Sequence, residues 1–285
     1  MRSYEGHLRL YIDAKMGSIV LQDLTSAMVV DFYESVIIEK SHATAKKVLC
    51  SLKAIISEVQ RRDWVLKNVA RTVPAYNSRK QKHKRVMPTK DEIRLLLTTV
   101  NKKHEPLIMT AIFTGMRASE LRGLIWEYVD LEKGLIHVKQ RADRFNEIGE
   151  PKSDSGYRSI PLTPNLVKTL KVWKMKCPTG EYDLVFPNGK GNIETHSNIY
   201  NRVFKPLMVE CGLLDSEGKP LFGIHAMRHA AASLMIDQGW LPKRIQTIMG
   251  HSSINMTFDV YGHLFDDPEA DVEAMAKLES DLLAA

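Results

Sequence analysis

The sequence lacks the features that mark membrane, secreted and zinc-binding proteins. No apolar run approaches the roughly 20 residues that a membrane-spanning helix needs. The N-terminus lacks the charged, then apolar, then small-residue order of a signal peptide. The three cysteines, Cys50, Cys177 and Cys211, lie far apart without CxxC spacing, which argues against a disulfide framework or a zinc site. These absences predict a protein of a reducing cytosol.

The chain is long enough to form two domains. It has 285 residues, of which 44% are apolar and 26% are charged. These fractions are ordinary for a globular protein, so composition alone favours no particular function.

Basic charge is concentrated in the first third of the chain. Residues 1–88 carry 16 Lys and Arg against 8 Asp and Glu, which leaves 24 against 26 for residues 89–285. The excess peaks just before Pro88, in Arg79, Lys80, Lys82, Lys84 and Arg85. Such a run is typical of a solvated linker, and also of a segment that lies along DNA phosphates and releases counterions. Both interpretations stay open, because a linker can also clamp DNA.

The N-terminal segment shows helical spacing and no strand alternation. A first helix is predicted from about Tyr4 to Lys15, a second after a cap at residues 24–26, and a third after Ser41. We therefore predict a small basic helical domain over 1–75 and a basic linker over 76–88.

The rest of the chain is predicted to be mixed, mainly helical with a small antiparallel sheet. A capping box from Thr89 to Glu92 begins a helix that runs to Val100. Helices are predicted at about 106–113, 118–126, 164–176, 196–210, 225–238, 241–249 and 253–264. Strands are predicted at 135–138, 158–162 and 184–186. This gives a second domain over 89–265, followed by an amphipathic tail helix over 266–285.

Two short patterns place arginine and histidine at helix ends. In Thr114-Gly115-Met116-Arg117, the guanidinium of Arg117 stands at a helix N-terminal turn, where an anion is favoured; Glu120 follows on that helix. In His225-Ala226-Met227-Arg228-His229, the spacing of three puts His225 and Arg228 on one helical face, so both can reach one ligand. His229 is predicted to lie on a different face with a structural role.

Two further patterns complete the set. Lys152 precedes Ser153-Asp154-Ser155-Gly156 in a predicted hairpin turn, where a lone lysine is ordinarily surface decoration. Gly250 ends a helix, His251 follows it, and Tyr261 stands ten residues later in the next helix. Without the other patterns, a tyrosine in such a helix more often packs in the core than acts as a nucleophile.

Together the four patterns resemble the catalytic domain of the tyrosine recombinase, or phage integrase, family in identity, order and spacing. The resemblance covers about residues 89–265. It implies six catalytic residues, with Tyr261 as nucleophile and Glu120 as a supporting residue: Arg117, Lys152, His225, Arg228, His251 and Tyr261. The N-terminal segment resembles the family's core-binding domain more weakly. The sequence contains no arm-binding module, so either the element does without arm sites or the chain is a truncated form.

The resemblance implies a DNA strand transferase that needs no cofactor and no metal. Tyr261 would attack a phosphate and form a 3′-phosphotyrosyl link while His225 accepts its proton. Two arginines would clamp the non-bridging oxygens, His251 would donate a further hydrogen bond, and Lys152 would protonate the leaving 5′-oxygen. The implied partners are double-stranded attachment sites of a phage or mobile element, three more copies of the chain on DNA, and, in some systems, DNA-bending proteins and an excision factor.

Two other functions are compatible with parts of the pattern. A type IB topoisomerase or telomere resolvase shares the chemistry without exchange between two partners; the compact length and small helical N-terminal segment favour the recombinase. A catalytically silent DNA-binding regulator predicts a broken residue set, whereas all six positions are filled here.

Overall fold

A computed structural model of the chain describes residues 2–75, 87–265 and 268–283. The chain divides into two compact units, Met1–Lys84 and Arg85–Ala285. The five basic residues singled out in the linker, at positions 79, 80, 82, 84 and 85, lie outside the described residues. The bounds given above for the domains, the linker and the tail remain predictions.

The first unit is helical, as predicted. Its helices are α1 (Arg2–His7, a π-helical turn Leu8–Ile12, and Asp13–Met16), α2 (Ser26–Glu39) and α3 (His42–Arg61). The hydroxyl of Thr25 caps α2 by accepting from the Met28 amide, and that of Ser41 caps α3 by accepting from the Thr44 amide. Apolar residues at helical spacing on α2 and α3 form a core that includes Val29, Tyr33, Val36, Leu49 and Ile56.

The second unit is mainly helical with small antiparallel sheets, which confirms the predicted fold class. Its helices are α4 (Lys90–Thr99), α5 (Glu105–Thr114), α6 (Ala118–Arg122), α7 (Pro164–Lys174), α8 (His196–Asn198, a π-helical turn Ile199–Phe204, and Lys205–Glu210), α9 (His225–Asp237), α10 (Pro242–Met249), α11 (Asn255–Tyr261) and α12 (Pro268–Leu283). Its strands are β1 (Val129–Asp130), β2 (Leu135–Val138), β3 (Arg141–Ala142), β4 (Ile148–Gly149) and β5 (Arg158–Pro161). The Thr89–Glu92 capping box is present. None of the described helices is long and apolar enough to cross a membrane.

The helix α5 is the centre of the second unit's core. Its sequence is almost continuously apolar, eight of its ten residues are buried, and it contacts both α7 and α9. The three-stranded sheet β1-β2-β5 packs on the same core through Ile136 and Ile160. Residues of β2 and β5 pair antiparallel, from Leu135 with Pro161 to Val138 with Arg158.

Three local predictions about this unit were wrong. The stretch 184–186 forms no strand: Leu184 makes only an isolated bridge with Ile125, because it packs in a small separate core with Ala142 and Ile193. Between β2 and β5 lies an additional hairpin, β3–β4, that the sequence pattern did not indicate. The helix that begins after Arg117 ends at Arg122 rather than 126, where Gly123 touches the β3 backbone; a Cβ at Gly123 would lie 2.5 Å from the Ala142 amide nitrogen.

Candidate active site

Two glycines in the left-handed conformation bring the ends of α5 and α10 together. Gly115 has φ +61° and Gly250 has φ +63°, so each ends its helix in a conformation that other residues rarely adopt. A Cβ on Gly115 would lie 2.8 Å from the sulfur of Met249, and one on Gly250 would lie 2.9 Å from the Ser155 carbonyl oxygen. The end of α5 can lie this close to Met249, and the end of α10 this close to Ser155 and Arg158, only because the two positions lack a side chain.

Replacing Gly250 by alanine is therefore expected to destabilise the protein more than the backbone conformation alone requires. The left-handed conformation costs a non-glycine residue about 1–2 kcal/mol, and the crowded Cβ raises the expected loss to about 2–4 kcal/mol. Gly239→Ala is the matched control, because Gly239 has φ +71° with no atom within 4 Å of its Cβ position. The free energy of unfolding in urea measures both variants, and equal losses would contradict the close approach.

The C-terminal end of α10 gathers three guanidinium groups. Three successive carbonyls accept hydrogen bonds there, and the unpaired carbonyls at a helix end carry partial negative charge that favours cations. Arg158 Nε donates to the Ile248 oxygen at 2.6 Å, Arg228 Nη2 donates to the Met249 oxygen, and Arg117 Nη2 donates to the Gly250 oxygen at 2.8 Å. The Gly115 oxygen at the end of α5 accepts from Arg228 Nη1 at 2.6 Å.

The buried carboxylate of Glu120 joins two of these arginines. Arg158 donates to it with both terminal nitrogens, at 2.8 and 3.2 Å. Arg117 donates to it with its backbone amide and with Nη1, both at 2.8 Å. Burial by itself raises the pKa of Glu120, but the hydrogen bonds and charges of Arg158 and Arg117 outweigh burial and hold the pKa below its ordinary value. Glu120 is thus an anion that fixes the direction of both guanidiniums.

Arg228 reaches this cluster from α9 and is buried. Its residue is 4% exposed, and burial together with the charge of Arg117 lowers its pKa to about 9, although Glu120 and Tyr261 act in the opposite direction. It stays protonated at neutral pH. A buried excess of positive charge favours the binding of an anion. The planar N–H donors of the Arg228 guanidinium suit phosphate oxygens.

His251 lies beside the cluster and is held by a threonine. Its Nδ1 is 2.9 Å from Oγ1 of Thr257, which lies on α11 and is fully buried. Burial lowers the pKa of His251 to about 4, and the charges of Arg228 and Arg117 add to that effect. The imidazole is therefore neutral at pH 7, and its hydrogen bond with Thr257 orients the ring.

The low pKa of His251 predicts a pH dependence of stability. An unfolded histidine has a pKa of about 6.5, so between that value and pH 4 the unfolded state binds the extra proton and the folded state does not. The contribution of His251 is complete above pH 6.5 and is lost as the pH falls towards 4. We expect the free energy of unfolding to fall by about 2 kcal/mol. This is less than the full shift of the His251 pKa implies, because Arg117 is partly exposed and its charge is screened.

The difference between wild type and His251→Gln isolates this contribution from other titrating groups. Urea unfolding at pH 7 and at pH 4.5 gives the free energy of unfolding for both proteins. Wild type is expected to lose about 2 kcal/mol more than the variant on acidification. Parallel losses in the two proteins would show that His251 titrates normally.

The hydroxyl of Tyr261 lies at the end of α11 and contacts a histidine. Tyr261 is 1% exposed, and its oxygen is 2.7 Å from Nδ1 of His229, which is also buried. The ring of His229 also meets that of His225 edge to face, with centroids 4.9 Å apart. The prediction that His229 lies away from His225 was wrong, because positions four apart on a helix share a face.

The structure assembles most, but not all, of the residues named from the sequence. Arg117, Glu120, Arg228 and His251 form one cluster. Tyr261 is linked to it through His229, the neighbour of Arg228, and lies on the helix whose Thr257 holds His251. His225 is solvent-exposed at the first position of α9. Lys152 is exposed in the segment between β4 and β5, outside the hydrogen-bonded cluster. Within the described ranges, no three His, Cys, Asp or Glu side chains are grouped as metal ligands.

Two residues of the site were missed or misjudged from the sequence. Arg158 was not considered, although strand alternation places it on the same buried face as Ile160, which was a usable signal. His229 was judged structural, although its spacing of four from His225 indicated a shared face. In both cases the spacing along the element indicated the face on which the residue lies, but it did not indicate which residue of another element it contacts.

Comparison with known proteins identifies the family. The model of the phage integrase family matches residues 87–267. A prophage integrase of Escherichia coli K12 is 25% identical over 231 residues, which are 72% of this chain and 54% of that protein. The transposase from transposon Tn916 of Enterococcus faecalis is 29% identical over 191 residues, 63% of this chain and 47% of that protein. The chain thus spans about half the length of these two relatives.

Solved structures show the same fold. The Tn1549 transposon integrase in complex with circular intermediate DNA superposes with a TM-score of 0.79 at 23% identity, covering 96% of this chain and 92% of that one. A lambda integrase dimer bound to a core site gives a TM-score of 0.71 at 20% identity, covering 93% and 71%. Since the family model spans well over half of the chain and the fold agrees, this protein belongs to the phage integrase, or tyrosine recombinase, family.

Proposed function

We propose that this protein is a site-specific DNA recombinase that cuts and rejoins DNA through a 3′-phosphotyrosyl intermediate on Tyr261. The observation that carries the proposal is the hydrogen bond between the Tyr261 hydroxyl and His229, the residue that directly follows Arg228 of the buried guanidinium cluster. A phenol can form a phosphodiester with the 3′ end of a cut strand and conserve the bond energy. Guanidiniums suit the charge that gathers on the non-bridging oxygens in the transition state.

The two clamping groups in this mechanism are Arg117 and Arg228. Each guanidinium has five N–H donors and currently binds carbonyl or carboxylate oxygens, which leaves donors for a phosphate. An arriving phosphodiester anion would also offset the repulsion by Arg117, which adds to the effect of burial in lowering the pKa of Arg228. Two fixed positive charges supply the electrostatic stabilisation that a metal ion provides in other phosphoryl-transfer enzymes, so we propose a metal-independent reaction.

The bond changes balance without a further reactant. The Tyr261 oxygen gives its proton to a histidine of α9 and forms a bond with phosphorus, the bond from phosphorus to the 5′-oxygen breaks, and Lys152 supplies a proton to that oxygen. His251 donates a hydrogen bond to the phosphate, and His225, exposed at the start of α9, belongs to the same proposed set. The 5′-hydroxyl of a partner strand then attacks the phosphotyrosine, releases Tyr261 and reseals the DNA.

The wider function proposed here is the integration or excision of a phage or mobile element in a bacterial cell. Its partners would be double-stranded attachment sites and four copies of the chain on DNA, with DNA-bending proteins and an excision factor where the element uses them. The tail helix α12 supports an assembly, because it exposes an apolar stripe of Val272, Met275, Leu278 and Leu282. We propose that this stripe docks on a neighbouring protomer.

The test uses a library of nicked duplexes with a randomised core, because a nick lets the short strand diffuse away and traps the cut state. Complexes that survive denaturing detergent are isolated, their DNA is sequenced, and the attached peptide is identified by mass spectrometry. We expect one preferred core sequence and a phosphotyrosyl bond on Tyr261. Attachment at another residue, or DNA binding without any adduct, would contradict the proposal. Relaxation of a supercoiled plasmid that lacks the selected sequence would indicate a topoisomerase instead.

A further inference from the structure

His229 makes the contact with the nucleophile that the proposed reaction needs. Its Nδ1 lies 2.7 Å from the Tyr261 oxygen, a normal hydrogen-bond distance for a phenol and an imidazole. Both residues are buried, at 8% and 1% exposure. A hydroxyl in such surroundings exchanges its proton with the group that it contacts more readily than with bulk water.

The position of His225 is different. It is the first residue of α9 and is exposed to solvent, whereas His229 lies one turn further along and faces α11. The two rings meet edge to face at an interplanar angle of 85°. The exposed ring of His225 is open to solvent, whereas the buried ring of His229 lies against the tyrosine.

We infer that His229, rather than His225, accepts the proton of Tyr261 as that residue attacks the phosphate. This inference rests on the proposed function. With its own proton on Nε2, neutral His229 accepts the phenolic hydrogen at Nδ1. When the bond from the Tyr261 oxygen to phosphorus forms, that proton passes to Nδ1 and gives an imidazolium, while the leaving 5′-oxygen takes a separate proton from Lys152.

The energetic need for such a group is large. A phenol with an ordinary pKa of about 10 is ionised to roughly one part in a thousand at pH 7. A positioned base accepts the proton during the attack, so the reaction does not depend on the small ionised fraction of the phenol. General base catalysis typically contributes about 10²- to 10⁴-fold to a rate. An imidazole, with an ordinary pKa near 6.5, is the side chain best matched to this task at neutral pH.

The experiment measures single-turnover cleavage of the nicked duplex selected above, from pH 6 to pH 9, by wild type, His229→Gln and His225→Gln. His229→Gln is expected to be slower by at least about 10²-fold at pH 7. Its rate should also rise about tenfold per pH unit, because the phenol must ionise unaided. Wild type and His225→Gln should both level off above the pH at which the base loses its proton. His196→Ala, which removes an exposed histidine, should match wild type.

A rescue experiment separates proton transfer from packing. Imidazole added to His229→Ala should restore cleavage in proportion to the concentration of its neutral form, whereas His225→Ala should not respond. If His229→Gln keeps the wild-type pH profile and His229→Ala ignores imidazole, the inference is wrong, even though wild type forms its adduct on Tyr261. If wild type forms no adduct on Tyr261, the proposed function itself fails.

Discussion

Replacing Tyr261 by phenylalanine is expected to abolish the covalent protein–DNA adduct. The change removes the one oxygen that can bond to phosphorus at this position, so cleavage should fall below detection rather than by a modest factor. The fold should survive, because the aromatic ring that fills the buried site is kept. Loss of the hydrogen bond with His229 is expected to cost about 1 kcal/mol.

Detergent-stable adducts on the selected nicked duplex measure the first effect, and a band-shift assay under native conditions measures DNA binding, which should persist. The matched control is Tyr33→Phe, which alters another fully buried tyrosine in the first unit. That variant should form adducts at the wild-type rate. An adduct that persists in Tyr261→Phe would place the nucleophile elsewhere in the chain.

Replacing Glu120 by glutamine is expected to destabilise the protein by about 3–5 kcal/mol. The change keeps the shape of the side chain and removes its negative charge, which leaves the buried guanidinium of Arg158 without a counterion. The side chains of Arg158 and Glu120 are only 2% and 3% exposed, so water cannot replace the lost partner. Arg117 loses the same anchor, so cleavage should fall as well.

Glu105→Gln is the control for the loss of a surface ion pair. Glu105 pairs with Lys102, whose side chain is 90% exposed, so this change should cost less than about 1 kcal/mol. The free energy of unfolding in urea compares the two variants. Arg158→Met, combined with Glu120→Gln, should recover part of the loss, because the uncompensated charge is then gone. A loss below 1 kcal/mol in Glu120→Gln alone would show that the buried ion pair does not hold the site together.

Gly250 and Glu120 show how the site depends on the ends of helices. The α10 terminus presents three carbonyls in a row, and each holds one arginine. Gly250 permits this arrangement through its left-handed conformation, and Glu120 neutralises part of the charge that results. The predicted sensitivity to Gly250→Ala and to Glu120→Gln therefore has one cause, which is the close packing of three cations at this helix end.

Local interactions explain which parts of the fold were predictable. Helices α2, α3 and α4 were expected because a Ser or Thr side chain caps each one and apolar residues recur at helical spacing; all three are present. The strands β2 and β5 followed from alternation. The stretch 184–186 also has strand-forming residues, yet it forms no strand: Leu184 packs with Ala142 in a small separate core, whereas Val185 and Phe186 join the main core. Packing with a residue as distant in sequence as Ala142 cannot be read from local alternation.

The sequence by itself determined the family-type residue set, its order, and the helix ends on which Arg117, His251 and Tyr261 stand. Those are local properties, carried by glycine, capping residues and periodicity. Only the tertiary structure decided which groups meet. Arg117 donates to the Gly250 carbonyl, 133 positions away in sequence, and Arg158 donates to Glu120. His229 contacts the hydroxyl of Tyr261. Hydrogen bonds between buried groups depend on how helices pack, and spacing along one helix does not contain that information.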